Sequence, residues 1–150
     1  MPTHFKGTVE EELALNNYIK LTRAADSINN RLYAAGQPGN LTISQFGTLE
    51  ALYHLGPLCQ NVIGSKLLKS NSNMTTVIDN LEKRGLVRRE RSKEDRRNIT
   101  VSLTEEGSAL ITKIFPTHLK NITHLFSGLT REELETLENL LRKLGKSAQS

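Results

Sequence analysis

A change in the spacing of apolar residues at Gly85 constrains the fold more than any other feature of this sequence. Before Gly85, apolar residues recur at i, i+3, i+4 and i+7, the spacing of one buried helix face: Met74, Val77, Ile78 and Leu81. After it, two short segments follow a period of two, most clearly over residues 99–103. Since the charged run KEDRR joins them, the sequence predicts a helix that ends at a C′ glycine, followed by a β-hairpin with a long tip.

Apolar residues at three- and four-residue steps predict helices in the rest of the chain. Ser70 is the expected N-cap of the helix before Gly85, and Pro116 should kink or split the fifth helix. The predicted class is mainly α with a small β-hairpin, in one domain of 150 residues. Three of the remaining helices are expected over residues 9–34, over residues 60–68 and from Thr104 to about residue 126. Two others are expected to begin at capping boxes, one formed by Thr42 and Gln45 and one by Thr130 and Glu133.

Several classes of protein are disfavoured by what the sequence lacks. A single cysteine cannot form an intramolecular disulfide, and no apolar run approaches the roughly 20 residues that span a bilayer. With no signal-peptide pattern at the N-terminus, a soluble cytoplasmic protein without a membrane partner is expected. The four histidines are scattered, and no nucleophile motif, phosphate loop or zinc spacing is present, so we expect no enzyme, no cofactor and no metal site. A metal site built from residues of different helices is the alternative that this spacing leaves open.

The predicted order of three short helices and a hairpin is that of a winged helix-turn-helix, whose second paired helix enters the major groove. On the fourth helix, Asp79 faces away from the apolar stripe and would repel phosphates unless an arginine holds it or a cytosine amine donates to it. The alternative is an ordinary solvated helix face. The other outward residues are mostly short hydrogen-bonding side chains that can approach base edges: Ser72, Asn73, Thr75, Thr76, Asn80 and Lys83.

The hairpin concentrates positive charge, because eight of the 20 Lys and Arg residues lie between positions 82 and 97. Arginine inserts into a narrow minor groove, and phosphate contacts give salt-dependent affinity. Asp95 has a structural role in this interpretation, as the partner of a wing arginine. A solvated charged turn is the alternative, which the neighbouring helix pair disfavours. Arg88, Arg89 and Arg91 lie on the first strand, and Lys93, Arg96 and Arg97 at the tip.

A leucine seam predicts self-association through the last helix. Its members follow 3, 4, 3 spacing, typical of a coiled coil, but the seam is too short to be stable alone. The seam consists of Leu134, Leu137, Leu141 and Leu144.

The run from Ser72 to Gly107 resembles the MarR family of bacterial transcription regulators. Its wing signature is Asp-x-Arg, then Val or Ile, Leu-Thr and an acid-rich helix start, and residues 81–87 match the end of the family's recognition helix. The resemblance implies a DNA-binding lobe over about 41–104 and dimerisation helices over about 9–34 and 105–147. Asn80 departs from the family, where many members carry Arg or Lys. The signature residues are Asp95, Arg97 (the implied minor-groove arginine), Val101, Leu103 and Thr104.

The same resemblance implies a homodimeric repressor on a pseudo-palindromic operator, with half-site centres roughly 10 bp apart. It also implies release from DNA when a small phenolic or aromatic effector binds between the lobes. Helices one, two and five would line that pocket, which makes Tyr18 and His54 candidates.

Cys59 is a candidate redox residue, because some MarR-like proteins sense oxidants through cysteine and a helix N-terminus favours thiolate. The family's peroxide-sensing cysteine lies in the first helix, whereas Cys59 precedes the third. A small residue at a helix N-cap therefore explains Cys59 better.

Two other functions fit the same pattern. A winged helix can serve as a protein-docking module, whose binding would not fall steeply with salt. A non-specific nucleic-acid packaging protein would show little preference for its own promoter.

Overall fold

The computed structural model describes residues 3–67 and 71–149, without the side chains of residues 71 and 72. It confirms the predicted mainly helical class with a small antiparallel sheet. Ser70, the expected N-cap of the fourth helix, lies outside the described residues. The elements are α1 (Val9–Leu32), a 3₁₀ turn (Pro38–Asn40), α2 (Ile43–Leu55), β1 (Leu58–Cys59), α3 (Gln60–Leu67), α4 (Asn71–Lys83), β2 (Val87–Arg91), β3 (Ile99–Leu103), α5 (Glu105–Leu125) and α6 (Arg131–Ala148).

Side chains of threonine cap four of the helices. Thr42 begins α2 with the predicted capping box, in which its hydroxyl accepts from the Gln45 N–H at 3.1 Å and Gln45 Oε1 accepts from the Thr42 N–H at 3.0 Å. The Thr130 box of α6 is likewise confirmed, and Thr8 forms a third box at α1. Thr104 caps α5 by accepting from the N–H of Gly107 at 3.1 Å. These caps satisfy N–H groups that have no partner within the helix.

The sheet has three strands in the order β1-β3-β2, all antiparallel, where the sequence predicted only the two strands of the hairpin. The additional strand is the dipeptide Leu58–Cys59, which pairs with Val101 and Thr100. Two residues are too few to show a period, so no sequence pattern could have predicted this strand. Cys59 directly precedes α3, as expected, and is also the last residue of β1.

One apolar core holds α2, α3, α4 and the sheet together. Ile111 of α5 joins it, while no described residue of α1 or α6 is buried. The core lies inside the helix-turn-helix and wing, and therefore fixes α4 and the wing with respect to each other. Its members are Leu41, Phe46, Leu49, Leu52, Ile63, Met74, Ile78, Leu81, Leu86, Val87, Val101 and Ile111.

The sequence predicted that Pro116 would either kink or split the fifth helix. The helix is not split, because α5 continues from Glu105 to Leu125. A proline has no N–H to donate to the carbonyl four residues earlier, here that of Thr112. Both Thr112 and Pro116 are exposed, so water can hydrate that carbonyl. No helix among residues 3–67 and 71–149 is long and apolar enough to cross a membrane.

Gly107 lets α5 approach the end of α4 closely. A Cβ at this position would lie 2.0 Å from the backbone oxygen of Leu86, which already accepts from the N–H of Thr104 at 3.1 Å. The carbonyl cannot move without losing this hydrogen bond. A side chain at position 107 would therefore separate α5 from the helix-turn-helix.

We predict that Gly107→Ala lowers the free energy of unfolding by about 1–3 kcal/mol or more, because a Cβ cannot be accommodated against a fixed carbonyl. Gly145→Ala in α6 is the matched control, since a Cβ added there would meet no other atom within 4 Å. Alanine there should leave stability unchanged or raise it by up to about 1 kcal/mol. Urea unfolding at one fixed chain concentration measures both. Equal effects of the two substitutions would contradict the close approach.

Candidate nucleic-acid interface

The α4 helix buries one face and exposes the face that the sequence predicted for base contact. Met74, Ile78 and Leu81 are each 0% exposed, so the helix cannot rotate without exposing core residues. Four of the predicted contact residues and Lys83 lie on the outer side, whereas the side chain of Ser72 lies outside the described part of the chain. The outer residues are Asn73, Thr75, Thr76, Asn80 and Lys83.

Gln60 at the start of α3 is a buried residue that supports this surface from beneath, although the sequence did not single it out. Its side chain is 5% exposed, and its Nε2 donates to the Thr75 hydroxyl oxygen at 2.9 Å. A buried amide that reaches the outer face of α4 positions the Thr75 side chain. Spacing along α3 gives no sign of this contact, since it depends on how two helices cross.

Arg89 of β2 joins the hairpin to α4. Its guanidinium donates to Asp79 Oδ1 and to Glu82 Oε1, the latter at 3.1 Å, and its backbone N–H donates to Glu82 Oε2 at 3.2 Å. Burial alone would lower the pKa of Arg89, but the hydrogen bonds to Glu82 and Asp79 raise it above its usual value. Asp79 is therefore held by an arginine, one of the two arrangements in which it can lie close to DNA.

The structure gives Arg89 two ion-pair partners within the protein. The sequence grouped it with Arg88 and Arg91 as a DNA contact, but its charge is opposed by two carboxylates of α4. Alternation along β2 separates Arg89 from Arg88, because neighbouring side chains point to opposite faces of the sheet. Arg91 shares the face of Arg89 but lies two residues further towards the wing tip. Arg88 and Arg91 are exposed, whereas Arg89 is half-buried.

The tip of the wing (residues 87–103) is ordered by hydrogen bonds to two side chains. Ser92 Oγ accepts from the N–H groups of Glu94 at 3.2 Å and Asp95 at 3.3 Å. Asp95 Oδ1 accepts from the Arg97 backbone N–H at 3.0 Å and from its Nε at 3.4 Å. The sequence predicted Asp95 as a partner of a wing arginine but did not single out Ser92. Serine side chains commonly form hydrogen bonds with nearby backbone groups in turns.

Arg97 extends from this tip into solvent. Its side chain is 93% exposed even though Asp95 binds its Nε, so the terminal nitrogens point outward. Arg96 is also exposed. Between the wing and α4 lies a cleft of about 310 Å³, lined by Glu82, Arg89, Arg91 and Ile99. The protein therefore presents a polar helix face beside a strongly cationic tip.

The two candidate effector residues lie on different helices. Tyr18 on α1 is 64% exposed, while the ring of His54 on α2 lies 5.0 Å from Tyr53 and 4.9 Å from Phe115. Within the described residues, no hydrogen bond or ring contact joins Tyr18 to His54.

His118 is a buried residue at the contact of α2 with α5 that the sequence did not single out. It is 6% exposed, its ring lies 4.3 Å from that of Phe46, and its Nδ1 has no hydrogen-bond partner in the described part of the chain. Burial lowers the pKa of His118, and the carboxylate of Glu50 offsets this in part.

The other predicted residues occupy ordinary surface or strand positions. Cys59 is a half-buried free cysteine whose backbone pairs with Thr100. The residues 3–67 and 71–149 contain no group of three or more His, Cys, Asp and Glu side chains that could hold a metal ion. In the leucine seam, Leu134 and Leu137 are half-buried, whereas Leu141 and Leu144 are 40% and 51% exposed.

Comparison with known proteins identifies the family of this winged helix-turn-helix. A sequence model of the MarR family matches residues 41–99, which include α2, α3, α4, β2 and the wing tip. The HTH-type transcriptional regulator YkoM of Bacillus subtilis is 36% identical over 140 residues, 93% of this chain and 91% of YkoM. The chain belongs to the MarR family. It is accordingly an HTH-type regulator of transcription.

Two further relatives agree with this assignment along most of the chain. MhqR of Bacillus subtilis, also an HTH-type transcriptional regulator, is 36% identical over 137 residues, 91% of this chain and 94% of MhqR. The solved structure of Bordetella bronchiseptica BpsR, a protein whose DNA binding 6-hydroxynicotinic acid regulates, superposes with a TM-score of 0.74 at 27% identity. That match covers 83% of this MarR-family chain and 95% of BpsR, so the similarity extends beyond the helix-turn-helix to the flanking helices.

The buried imidazole of His118 predicts a loss of stability in acid. The unfolded chain binds a proton near pH 6.5, the ordinary value, whereas the folded chain binds it only at lower pH. The free energy of unfolding should therefore be highest above about pH 6.5 and decrease as the pH falls from there towards the lowered folded-state pKa. Urea unfolding at pH 8 and pH 5, at one fixed chain concentration, measures the difference.

The His118→Phe variant keeps a ring against Phe46 and removes the titrating group, so its stability should depend less on pH. The control is His124→Phe, because His124 is exposed on the same helix. That variant should keep the wild-type difference. If His118→Phe and wild type lose equal stability in acid, the buried imidazole is not the cause.

Proposed function

We propose that this chain binds a specific pseudo-palindromic operator as a homodimer and represses transcription there, in the cytoplasm. The main support for the proposal is that two surfaces are joined in one geometry: a face of short polar side chains on α4 and a cationic wing. Arg89 of the wing joins them by donating to Asp79 and Glu82 of α4. Two surfaces held in one geometry can contact adjacent grooves of the same duplex. In this proposal α4 enters the major groove and the wing reaches the minor groove.

The base contacts come from α4. Asn73 and Asn80 can pair with adenine, and the Thr75 and Thr76 methyl groups can contact thymine. Ser72 belongs to the same proposed set by its place in the sequence. Asp79 does not repel the phosphates, because Arg89 is bound to it.

The wing supplies cations to the DNA backbone and to the minor groove. Arg97 is the proposed minor-groove side chain, since the loop that Asp95 and Ser92 order leaves it 93% exposed. The remaining exposed cations contribute phosphate contacts and hence salt dependence: Lys83, Arg88, Arg91 and Arg96.

The flanking helices support the homodimer. The described residues of α1 and α6 include no buried side chain, yet both helices carry exposed apolar residues. Large apolar residues on helices that pack so little within one chain favour an interface between two chains. They include Val9, Leu13 and Leu21 of α1 and Leu140, Leu141 and Leu144 of α6, next to the half-buried Leu134 and Leu137.

We further propose that a small aromatic or phenolic effector controls this DNA binding. It is supported by the similarity to BpsR, whose DNA binding 6-hydroxynicotinic acid regulates. The rings of Tyr53, His54 and Phe115 lie at the α2–α5 contact, between the DNA-binding lobe and a flanking helix. An effector bound there would release DNA only if it preferred the conformation that does not bind DNA.

Footprinting of the purified chain on its own upstream DNA tests the proposal, first alone and then with candidate phenolics. We expect two protected half-sites related by a pseudo-two-fold axis, with centres about one helical turn apart. Equal affinity for a shuffled duplex of the same composition would identify a non-specific packaging protein. No affinity for either duplex at low salt would favour a protein-docking module.

We predict that Arg97→Ala weakens binding to the protected duplex by about 1–3 kcal/mol, since it removes the proposed minor-groove contact. The control is Lys113→Ala, which also removes one positive charge but lies exposed on α5, outside α4 and the wing. Fluorescence anisotropy at moderate salt measures both affinities. The assignment of the wing fails if Arg97→Ala binds as tightly as Lys113→Ala.

A further inference from the structure

Arg84, just after the end of α4, binds backbone carbonyl groups far away in the sequence. Its Nη2 donates to the oxygen of Gly39 at 3.0 Å, and its Nη1 donates to the oxygen of Asn40 at 3.2 Å. The planar guanidinium thus uses both terminal nitrogens on two successive carbonyls. A lysine has a single ammonium group and cannot present such a fork.

The chain conformation at residues 39 and 40 is suited to this contact. Both residues are left-handed, with φ of 62° at Gly39 and 56° at Asn40, and Asn40 is the one non-glycine residue with positive φ in the described chain. The N–H groups of Asn40 and Leu41 bond back to Gln37 and Pro38. The oxygens of Gly39 and Asn40 are therefore left to accept from outside the turn. A strained backbone of this kind persists where its surroundings hold it in place.

The same turn packs against α5. A Cβ at Gly39 would lie 3.3 Å from Leu110 Cδ1 and 3.5 Å from Ile114 Cδ1, so the backbone of the turn rests on these two side chains. On the other side, Leu41 directly follows the turn and is 1% exposed in the core. The turn thus contacts the flanking helix α5 and, through Arg84, the C-terminal end of α4.

We propose that Arg84 is a positioning residue, which fixes the orientation of α4 relative to α5 by clamping the Pro38–Asn40 turn. The function of this orientation rests on the proposed DNA binding: in a homodimer built through the flanking helices, it would set the spacing of the two recognition helices. Arg84 then acts on operator affinity through geometry and not through a phosphate contact. Arg84 is exposed, as Arg88 is, but both of its terminal nitrogens donate to carbonyl groups of the protein itself.

Electron paramagnetic resonance of the DNA-free full chain tests the orientation. Spin labels at Asn80→Cys and Lys113→Cys, in a Cys59→Ser background and diluted with unlabelled chain, report the α4–α5 distance. With Arg84→Met, which keeps an unbranched stem, we expect a shifted or broadened distance distribution. Arg88→Met is the matched control and should leave the distribution unchanged. An unchanged distribution in Arg84→Met would overturn the proposal.

Salt-dependent binding to the footprinted duplex separates positioning from a direct contact. Arg84→Met should weaken binding roughly 2- to 30-fold with the slope of log K against log salt unchanged. Arg88→Met should reduce that slope by about 1, as loss of a phosphate contact does. If Arg84→Met reduces the slope as well, Arg84 contacts phosphate and the proposal is wrong.

Arg84→Lys tests whether the role of Arg84 depends on its hydrogen bonds to two carbonyl groups or only on its positive charge. This variant also replaces Arg84→Met if Arg84→Met fails to fold. It keeps the positive charge but not the two-carbonyl fork, so its distance distribution and affinity should follow those expected for Arg84→Met. Wild-type behaviour of Arg84→Lys would overturn the proposal. If wild type binds no DNA, the proposed function fails, whereas the distance measurement still decides the role of Arg84.

Discussion

The ion pairs of Arg89 with Asp79 and Glu82 join the polar face of α4 to the cationic wing, the two surfaces on which the proposed DNA binding depends. Without them, α4 would present two unpaired carboxylates beside the cationic wing, and only apolar contacts would join the side chains of β2 to the helix. With them, the two carboxylates of α4 bind Arg89 and so hold the wing against the helix. Partly buried, hydrogen-bonded pairs of this kind fix a geometry better than they add stability, because desolvation offsets much of the attraction. The buried core beneath α4 and Val101 holds the same two elements from the inside.

The difference in burial between the DNA-binding lobe and the flanking helices explains why a second copy of the chain is expected as a partner. The helix-turn-helix and wing bury a core of their own, whereas α1 and α6 leave apolar side chains such as Leu13 and Leu144 more than half exposed. Apolar surface of this extent is normally covered in a soluble assembly. The turn at Gly39 and Asn40 connects the two parts, since it touches α5 on one side and receives Arg84 on the other.

Local signals in the sequence predicted the helices, the caps at Thr42, Thr104 and Thr130, and the wing, because each depends on residues close together in the chain. The Thr42 capping box and the C′ glycine at Gly85, whose φ is 72°, follow from such local rules. The structure alone showed the strand Leu58–Cys59, the contact of Gln60 with Thr75, and the burial of His118, since these depend on elements that meet only after folding. Arg89 shows the limit most clearly: its position in a basic run predicted a DNA contact, and only the packing of β2 on α4 showed its internal partners.

In the proposed complex, the wing and α4 contact one duplex together, with the wing tip in the minor groove. The most direct test places an iron chelate at the exposed tip residue Glu94, through Glu94→Cys in a Cys59→Ser background, and maps cleavage on the footprinted duplex. We expect two cleavage centres in the minor groove, one on each side of the pseudo-two-fold axis and outside the major-groove segments protected by α4. Cleavage spread evenly along the duplex, or confined to the major groove, would contradict it.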